Sequence, residues 1–184
     1  MAKNWIVITG GPSSGKTTLI TELQARGYRT VDEAARTIID EGIRDGKKIS
    51  DIRSDEKRFQ ELVAFQKRKN EEDCNTRELL FFDRGMHDTL AYLRYYDYEV
   101  DSEIEELLQQ STYTQVFLLD PLRTFTDDYA RTEDAAFAER IHDLLYQAYM
   151  AYGMEPISVE IGTPSERVDA ILSHITAAEQ TKHK

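Results

Sequence analysis

One cysteine, Cys74, stands in 184 residues, so no internal disulfide can form and the fold has to rest on a packed core. Its neighbours Glu71, Glu72 and Asp73 disfavour a thiolate, so no nucleophile is expected there. A single thiol also predicts a reducing, cytoplasmic setting. Long hydrophobic runs are missing. No apolar stretch approaches the ~20 residues of a membrane span, and residues 1–4 lead straight into a strand-like run with no secretory pattern. Positive charge is scarce as well. Lys and Arg number 23 against 34 Asp and Glu, a net charge of −11. That balance argues against DNA or RNA as partner, because phosphate backbones are gripped by clustered cations. The four histidines, His87, His142, His174 and His183, have no zinc-ligand spacing. No internal repeat and no Asn-Lys-x-Asp guanine-reading motif is found.

Glycine is sparse too, at nine residues, yet three of them fall within positions 10–15. Residues 10–17 read Gly10-Gly11-Pro12-Ser13-Ser14-Gly15-Lys16-Thr17, the phosphate-binding pattern G-x-x-x-x-G-K-[ST]. Trp5-Ile6-Val7-Ile8-Thr9 before it reads as a buried strand, and Thr18-Leu19-Ile20-Thr21-Glu22-Leu23 after it has helical spacing. Glycines let backbone N–H groups turn around a polyphosphate, and the helix N-terminus adds partial positive charge. Lys16 is expected to reach the β- and γ-phosphates and the Thr17 hydroxyl to bind Mg²⁺, with Thr18 beside them in the nucleotide site. The pattern therefore predicts binding of a nucleoside triphosphate, ATP with Mg²⁺.

Strand-like runs recur at 29–31, 79–82, 115–119 and 157–161, separated by helical periodicity. Ala34, Ala35, Ile38, Ile39 and Ile43 form one helical face. Phe59, Leu62 and Val63 form a second, and Phe137, Ile141, Leu144, Leu145, Ala148, Tyr149 and Tyr152 a long third. Thr163-Pro164-Ser165-Glu166 is a capping box with proline at the first helical position. Alternating strands and helices predict an α/β fold with a parallel sheet. The length suits one domain, taken as 1–178, with a frayed tail at 179–184. The polar stretch 45–57 reads as a surface connection.

The run at 79–82 ends in Asp83-Arg84-Gly85. Ligands of open parallel sheets sit at the carboxyl ends of strands. Asp83 there can hold Mg²⁺ or accept a proton, and Arg84 can neutralise phosphate oxygens; a surface turn in which Asp83 caps the next helix is the alternative. The second strand ends in Asp32-Glu33. Asp32 suits a helix N-cap, leaving Glu33 either as general base for a substrate hydroxyl or as a first-turn acid. Helical spacing from Phe59 calls for an apolar residue at 66, where Gln66 stands; it reads either as a ligand-reading amide or as the margin of a rotated helix. After the fourth strand, residues 120–131 lack periodicity and carry Arg123 and Arg131, which fit a lid over a triphosphate or a solvated loop.

Taken in order, residues 10–17, the segment 31–36, Gln66, Phe82-Asp83-Arg84-Gly85, Asp88 with Ala91-Tyr92, Val116-Phe117-Leu118-Leu119 and Asp128-x-x-Arg131-x-Glu133 resemble the AAA_28 family. These are small P-loop proteins related to the ribosylnicotinamide-kinase domain of NadR-type enzymes. The resemblance implies a five-stranded parallel sheet of order 2-3-1-4-5 flanked by helices and topped by a lid. It implies ATP and Mg²⁺ as cofactors and a small-molecule hydroxyl acceptor as partner. It assigns Lys16, Glu33, Asp83 and Arg131 to catalysis, and Glu33, Arg36, Gln66, Arg84 and Asp88 to the acceptor. A kinase of small hydroxyl compounds is the leading expectation. A nucleotide-dependent switch acting on a protein or lipid stands beside it.

Overall fold

The computed structural model describes residues 3–122 and 130–182. Five strands and eight helices alternate through them. β1 (Trp5–Thr9) feeds α1 (Lys16–Ala25), and β2 (Arg29–Val31) feeds α2 (Ala34–Arg44). A short α3 (Ile49–Ile52) and a long α4 (Glu56–Glu72) precede β3 (Leu80–Asp83). Then come α5 (Met86–Tyr95), α6 (Ser102–Gln110), β4 (Gln115–Leu119), α7 (Ala130–Met150), β5 (Ile157–Val159) and α8 (Pro164–Lys182).

The strands form one sheet in the order β2-β3-β1-β4-β5, with every pair parallel. That is the order implied by the family resemblance. β1 is central and buried along its whole length, which its unbroken apolar run demands. Val7 registers with Phe82 and with Val116, so the ends of β1, β3 and β4 open on one edge.

Each sheet face has its own core. Ile6, Ile8, Phe81, Phe117 and Leu119 meet Leu19, Leu23, Val168 and Ile171 of α1 and α8. Trp5, Val7, Phe82, Val116 and Leu118 meet Met86, Leu90, Ile141, Leu145 and Tyr149 of α5 and α7. A smaller cluster of Ala34, Phe59 and Val63, with Ile38, Ile39 and Ile52 around it, joins α2, α3 and α4 away from the sheet. The capping box of α8 forms: Glu166 Oε2 accepts from Thr163 N at 2.8 Å, and Thr163 Oγ1 accepts from Glu166 N at 3.3 Å.

Some details differ from the sequence expectations. The stretch 45–57 holds α3 and the start of α4, and Ile52 packs inward from it onto Gly42, where even a Cβ would meet its side chain at 2.5 Å. Asp32 is exposed, and Glu33 is itself the N-cap of α2, without a side-chain capping bond. The inner face of α4 is rotated. Phe59, Gln60, Val63, Ala64, Lys67 and Glu71 are buried, and Leu62 is 40% exposed. Among the described residues no helix is long and apolar enough to cross a membrane.

Candidate functional site at the carboxyl edge of the sheet

Residues 10–15 turn sharply between β1 and α1. Gly15 caps α1 at φ 78°, a left-handed conformation that glycine adopts without strain, and Ser13 is also left-handed at φ 59°. The loop is braced from outside. Arg167 of α8, 4% exposed, donates from Nη1 to Ser14 O at 2.6 Å and from Nη2 to Val159 O at 3.3 Å. Leu122 N reaches Ser13 O at 3.4 Å. Within the loop Ser14 N donates to Gly11 O at 3.3 Å, which closes the turn around the remaining amides. Pro12 is half-buried, and the Ser13, Thr17 and Thr18 side chains are exposed at the mouth.

Lys16 does not reach into solvent. It is 7% exposed and forms an ion pair with Asp83 at the end of β3, with Glu33 Oε2 3.8 Å away. Glu33 Oε1 accepts from Arg84 Nε at 2.6 Å, and Arg84 Nη1 donates to Asp88 Oδ1 at 3.0 Å. Asp88 is fully buried. Its Oδ1 accepts from Thr9 Oγ1 at 2.5 Å and its Oδ2 from Gly85 N at 3.1 Å and Tyr149 OH at 2.6 Å. Lys16, Asp83, Glu33, Arg84 and Asp88 thus form one continuous chain of charges.

The turn after β3 aims this chain. Arg84 is left-handed at φ 68°. Such a conformation in a non-glycine residue persists only where its surroundings hold it. Here Gly85 N and Met86 N donate to the hydroxyls of Tyr149 and Tyr113 at 3.2 and 2.7 Å. Gly85 has no room for a side chain, since a Cβ would sit 2.6 Å from Tyr149 Oη. Tyr113 in turn donates to the buried Glu71, which also accepts from Ser111 Oγ at 2.9 Å.

Electrostatics separates the carboxylates. Burial opposes the charge on Glu33, but Arg84 and Lys16 outweigh it and hold its carboxyl below the usual value. Burial also opposes ionisation of Asp88, and Lys67 and Arg84 overcome it. At Asp83 burial prevails over the pull of Lys16 and pushes the carboxyl up.

Beside this chain lies a cavity of about 430 Å³ between α2, α3, α4 and α5. Glu33, Arg84 and Asp88 form its polar end, with Lys67 and Gln60 from α4. Ile39, Phe59, Val63 and Tyr92 form apolar walls, and Arg36, 71% exposed, stands at the rim. Gln66 does not line it. Its Nε2 donates to Asn70 Oδ1 at 2.8 Å along its own helix, because the α4 face that meets the cavity carries 59, 60, 63 and 67 instead. His87 is fully buried against Tyr149 and Tyr152 and does not line the cavity. Arg123 and the Arg131 side chain lie outside the described residues.

Lys67, Gln60 and Arg167 escape sequence reading. A lysine, a glutamine and an arginine inside amphipathic helices read as solvated positions. The available signal was spacing: Gln60 and Lys67 are seven apart on the face that Val63 shares.

Oxygen donors suited to a hard divalent cation are present in Asp83 and Thr17. They are too few to enclose an ion, and among the described residues no group of three or more His, Cys, Asp and Glu side chains could hold one. This donor set fits Mg²⁺ held jointly with phosphate oxygens and water, the usual mode for that ion.

The AAA_28 family, described as an AAA domain, matches the chain over residues 5–167. No curated protein matches it in sequence. Among solved structures it is similar to the thymidylate kinase of Ehrlichia chaffeensis, at 16% identity and TM-score 0.63 over 95% of this chain and 100% of that one. The deoxyadenosine kinase of M. mycoides with bound dATP follows, at 16% identity and TM-score 0.57 over 94% and 98%. The NadR protein in complex with NR matches at 14% identity and TM-score 0.59 over 86% of this chain, which spans only 44% of that protein. At such identities the likeness is one of fold, that of P-loop kinases. The chain belongs to the AAA_28 family.

Proposed function

From this membership we propose that the protein is a Mg²⁺-ATP-dependent kinase that phosphorylates a small hydroxyl acceptor of nucleoside or riboside type. The observation that carries the reading is the position of Glu33. Its carboxylate lies 3.8 Å from the loop lysine and at the same time lines a ligand-sized cavity. An acceptor seated there offers its hydroxyl between the base and the triphosphate.

In this reading ATP lays its phosphates on the amides of residues 10–17, and Lys16 turns from Asp83 to the terminal phosphates. Mg²⁺, when bound, supplies charge neutralisation of the phosphates beside Thr17 and Asp83. The acceptor oxygen attacks the γ-phosphorus, the bond from that phosphorus to the β,γ-bridging oxygen breaks, and ADP leaves with that oxygen. Glu33, ionised through the influence of Arg84 and Lys16, takes the hydroxyl proton. Arg84, anchored by Glu33 and Asp88, orients the base and offsets phosphate charge. Arg123 and Arg131 are assigned to the charge on the transferring group, and Arg36 to the acceptor at the rim. Holding the hydroxyl in line supplies an effective molarity that bulk water lacks.

The test is ADP release from Mg²⁺-ATP across a panel of nucleosides and ribosides, with a no-acceptor control. Stimulation well above the basal rate supports the kinase. If no hydroxyl compound stimulates, and nucleotide state instead alters binding to a protein or lipid surface, the protein is a switch.

A further inference from the structure

Tyr149 holds a position on α7 that packing alone would fill with phenylalanine. It is fully buried in the core that α5 and α7 make against the sheet. A buried hydroxyl costs free energy unless it is hydrogen-bonded. This one is bonded on both sides. It donates to Asp88 Oδ2 at 2.6 Å and accepts from Gly85 N at 3.2 Å. Burial and the charge of Asp88 push its pKa well above the ordinary tyrosine value, so the proton stays on the oxygen. The same helix also touches the phosphate loop. About three turns before Tyr149, the Ala138 carbonyl backs that loop, 3.0 Å from where a Cβ on Gly11 would stand.

What this hydroxyl holds, at two removes, is Glu33. That residue is the N-cap of α2 without a side-chain capping bond, so its own helix does not orient the carboxylate. Among the described residues the one hydrogen bond to that carboxylate comes from Arg84 Nε, at 2.6 Å. Lys16 stands 3.8 Å off and, in the kinase reading, turns to the triphosphate. With ATP bound, Glu33 is then placed by Arg84. Arg84 in turn leans on Asp88 Oδ1 through Nη1 at 3.0 Å, with its guanidinium 5.6 Å from the centre of the Tyr92 ring. Asp88 accepts from Thr9 Oγ1 and Arg84 on Oδ1, and from Gly85 N and Tyr149 on Oδ2. The first three donors belong to β1 and to the turn after β3. Tyr149 is the donor that ties the carboxylate to α7.

We propose that Tyr149 is a positioning residue for phosphoryl transfer: acting through Asp88 and Arg84, it sets the Glu33 carboxylate against the acceptor hydroxyl from the helix that backs the phosphate loop. This rests on the kinase reading and adds to it a residue remote from the reacting atoms. Loss of the hydroxyl leaves Asp88 Oδ2 with Gly85 N alone. The carboxylate then loosens the Arg84 guanidinium and, through it, the base. Both substrates keep every contact of their own, so kcat falls and KM does not.

The experiment compares the full-length parent with Tyr149→Phe and with Tyr152→Phe, which removes from α7 a hydroxyl that bonds Glu105 and lies outside this relay. The first readout needs no acceptor: hydrogen exchange of the Arg84 Nε–H by NMR, the signal assigned by its loss in Arg84→Lys. Exchange is expected to be slow in the parent, about tenfold faster or more in Tyr149→Phe, and within about twofold of the parent in Tyr152→Phe. The second is ADP release from Mg²⁺-ATP with the member of the nucleoside and riboside panel that stimulates it most. In Tyr149→Phe kcat is expected to fall about tenfold or more, with KM for ATP and for the acceptor within about twofold of the parent. Tyr152→Phe should match the parent in all three. Unchanged kcat in Tyr149→Phe overturns the inference and leaves the kinase standing. So does an equal fall in both variants, which makes the loss a general effect on α7. A fall in kcat with the Arg84 signal unmoved also overturns it, because the path then does not run through the guanidinium. If Tyr149→Phe does not fold, a parent Arg84 Nε–H that exchanges as fast as a solvated arginine overturns it instead. A panel with no stimulating member removes the kinase reading and this inference together.

Discussion

Lys16→Ala tests two jobs that the kinase reading gives to one ammonium. In the structure that group is buried between two carboxylates, and Asp83, 12% exposed, has Lys16 as its ion-pair partner among the described residues. Glu33 keeps Arg84 when Lys16 is gone. The variant therefore strands a single carboxylate. Breaking a fully buried pair costs about 3–5 kcal/mol, and the opening to the loop mouth reduces this to roughly 2 kcal/mol. For a chain of this size that is a fall in Tm of roughly 4–8 °C. The second loss is the contact to the terminal phosphates, worth about 1.5–3 kcal/mol for a charged hydrogen bond, or roughly ten- to a hundredfold in ATP affinity. The double variant Lys16→Ala/Asp83→Asn has no stranded charge. It should regain most of the Tm and none of the affinity. Scanning calorimetry and ATP titration of the three proteins measure both. Equal ATP affinity in Lys16→Ala and parent refutes the phosphate-loop assignment. Recovery of affinity in the double variant refutes the division of labour.

Glu33→Gln keeps the shape of the proposed base and removes its basicity, so turnover with acceptor should fall about 10²–10⁴-fold at nearly constant ATP affinity; surviving turnover makes Glu33 a positioning group and Asp83 the leading base. Burial holds the His87 imidazole at about 4 against an ordinary 6.5, so it stays neutral in the folded protein while the unfolded chain protonates. Its contribution is fully present above pH 6.5 and is lost as pH falls towards 4, about 3 kcal/mol in all. Urea denaturation across that window should show the slope, and His87→Phe should flatten it. Arg167→Met removes the donor from Ser14 O, and ATP affinity should drop about tenfold while the acceptor KM stays put; no change in ATP titration shows that the loop holds its shape unaided.

Strand-loop-helix at the N-terminal end was legible because glycines, lysine and a buried strand are local signals in consecutive residues. So was the α8 start, where Thr163 and Glu166 make their own box. The carboxylates at strand ends were legible by rule, since parallel strands deliver their last residues to one edge. The cavity was not. Its floor depends on the rotation of α4, and three apolar residues at 59, 62 and 63 fit two phases of that helix. Packing against α2 and α5 selected the phase that exposes Leu62 and buries Lys67, so a polar residue one step from Gln66 lines the site. The tyrosine brace was equally invisible. Tyr113 and Tyr149 sit at positions that a hydrophobic stripe fills for packing alone, and only the fold shows their hydroxyls capping the turn at Gly85.

The clasp of Arg167 on Ser14 joins residues 153 apart in sequence. During synthesis the loop is made well before its brace. Domains emerge and fold from the N-terminal end, yet here the loop's carbonyl is secured only once β5 and the first turn of α8 have docked. A ribosome-bound chain short of residue 167 carries the whole phosphate-binding motif without the clasp that shapes it. Whatever shape the clasp gives the loop is thereby acquired only when β5 and the start of α8 have joined the sheet.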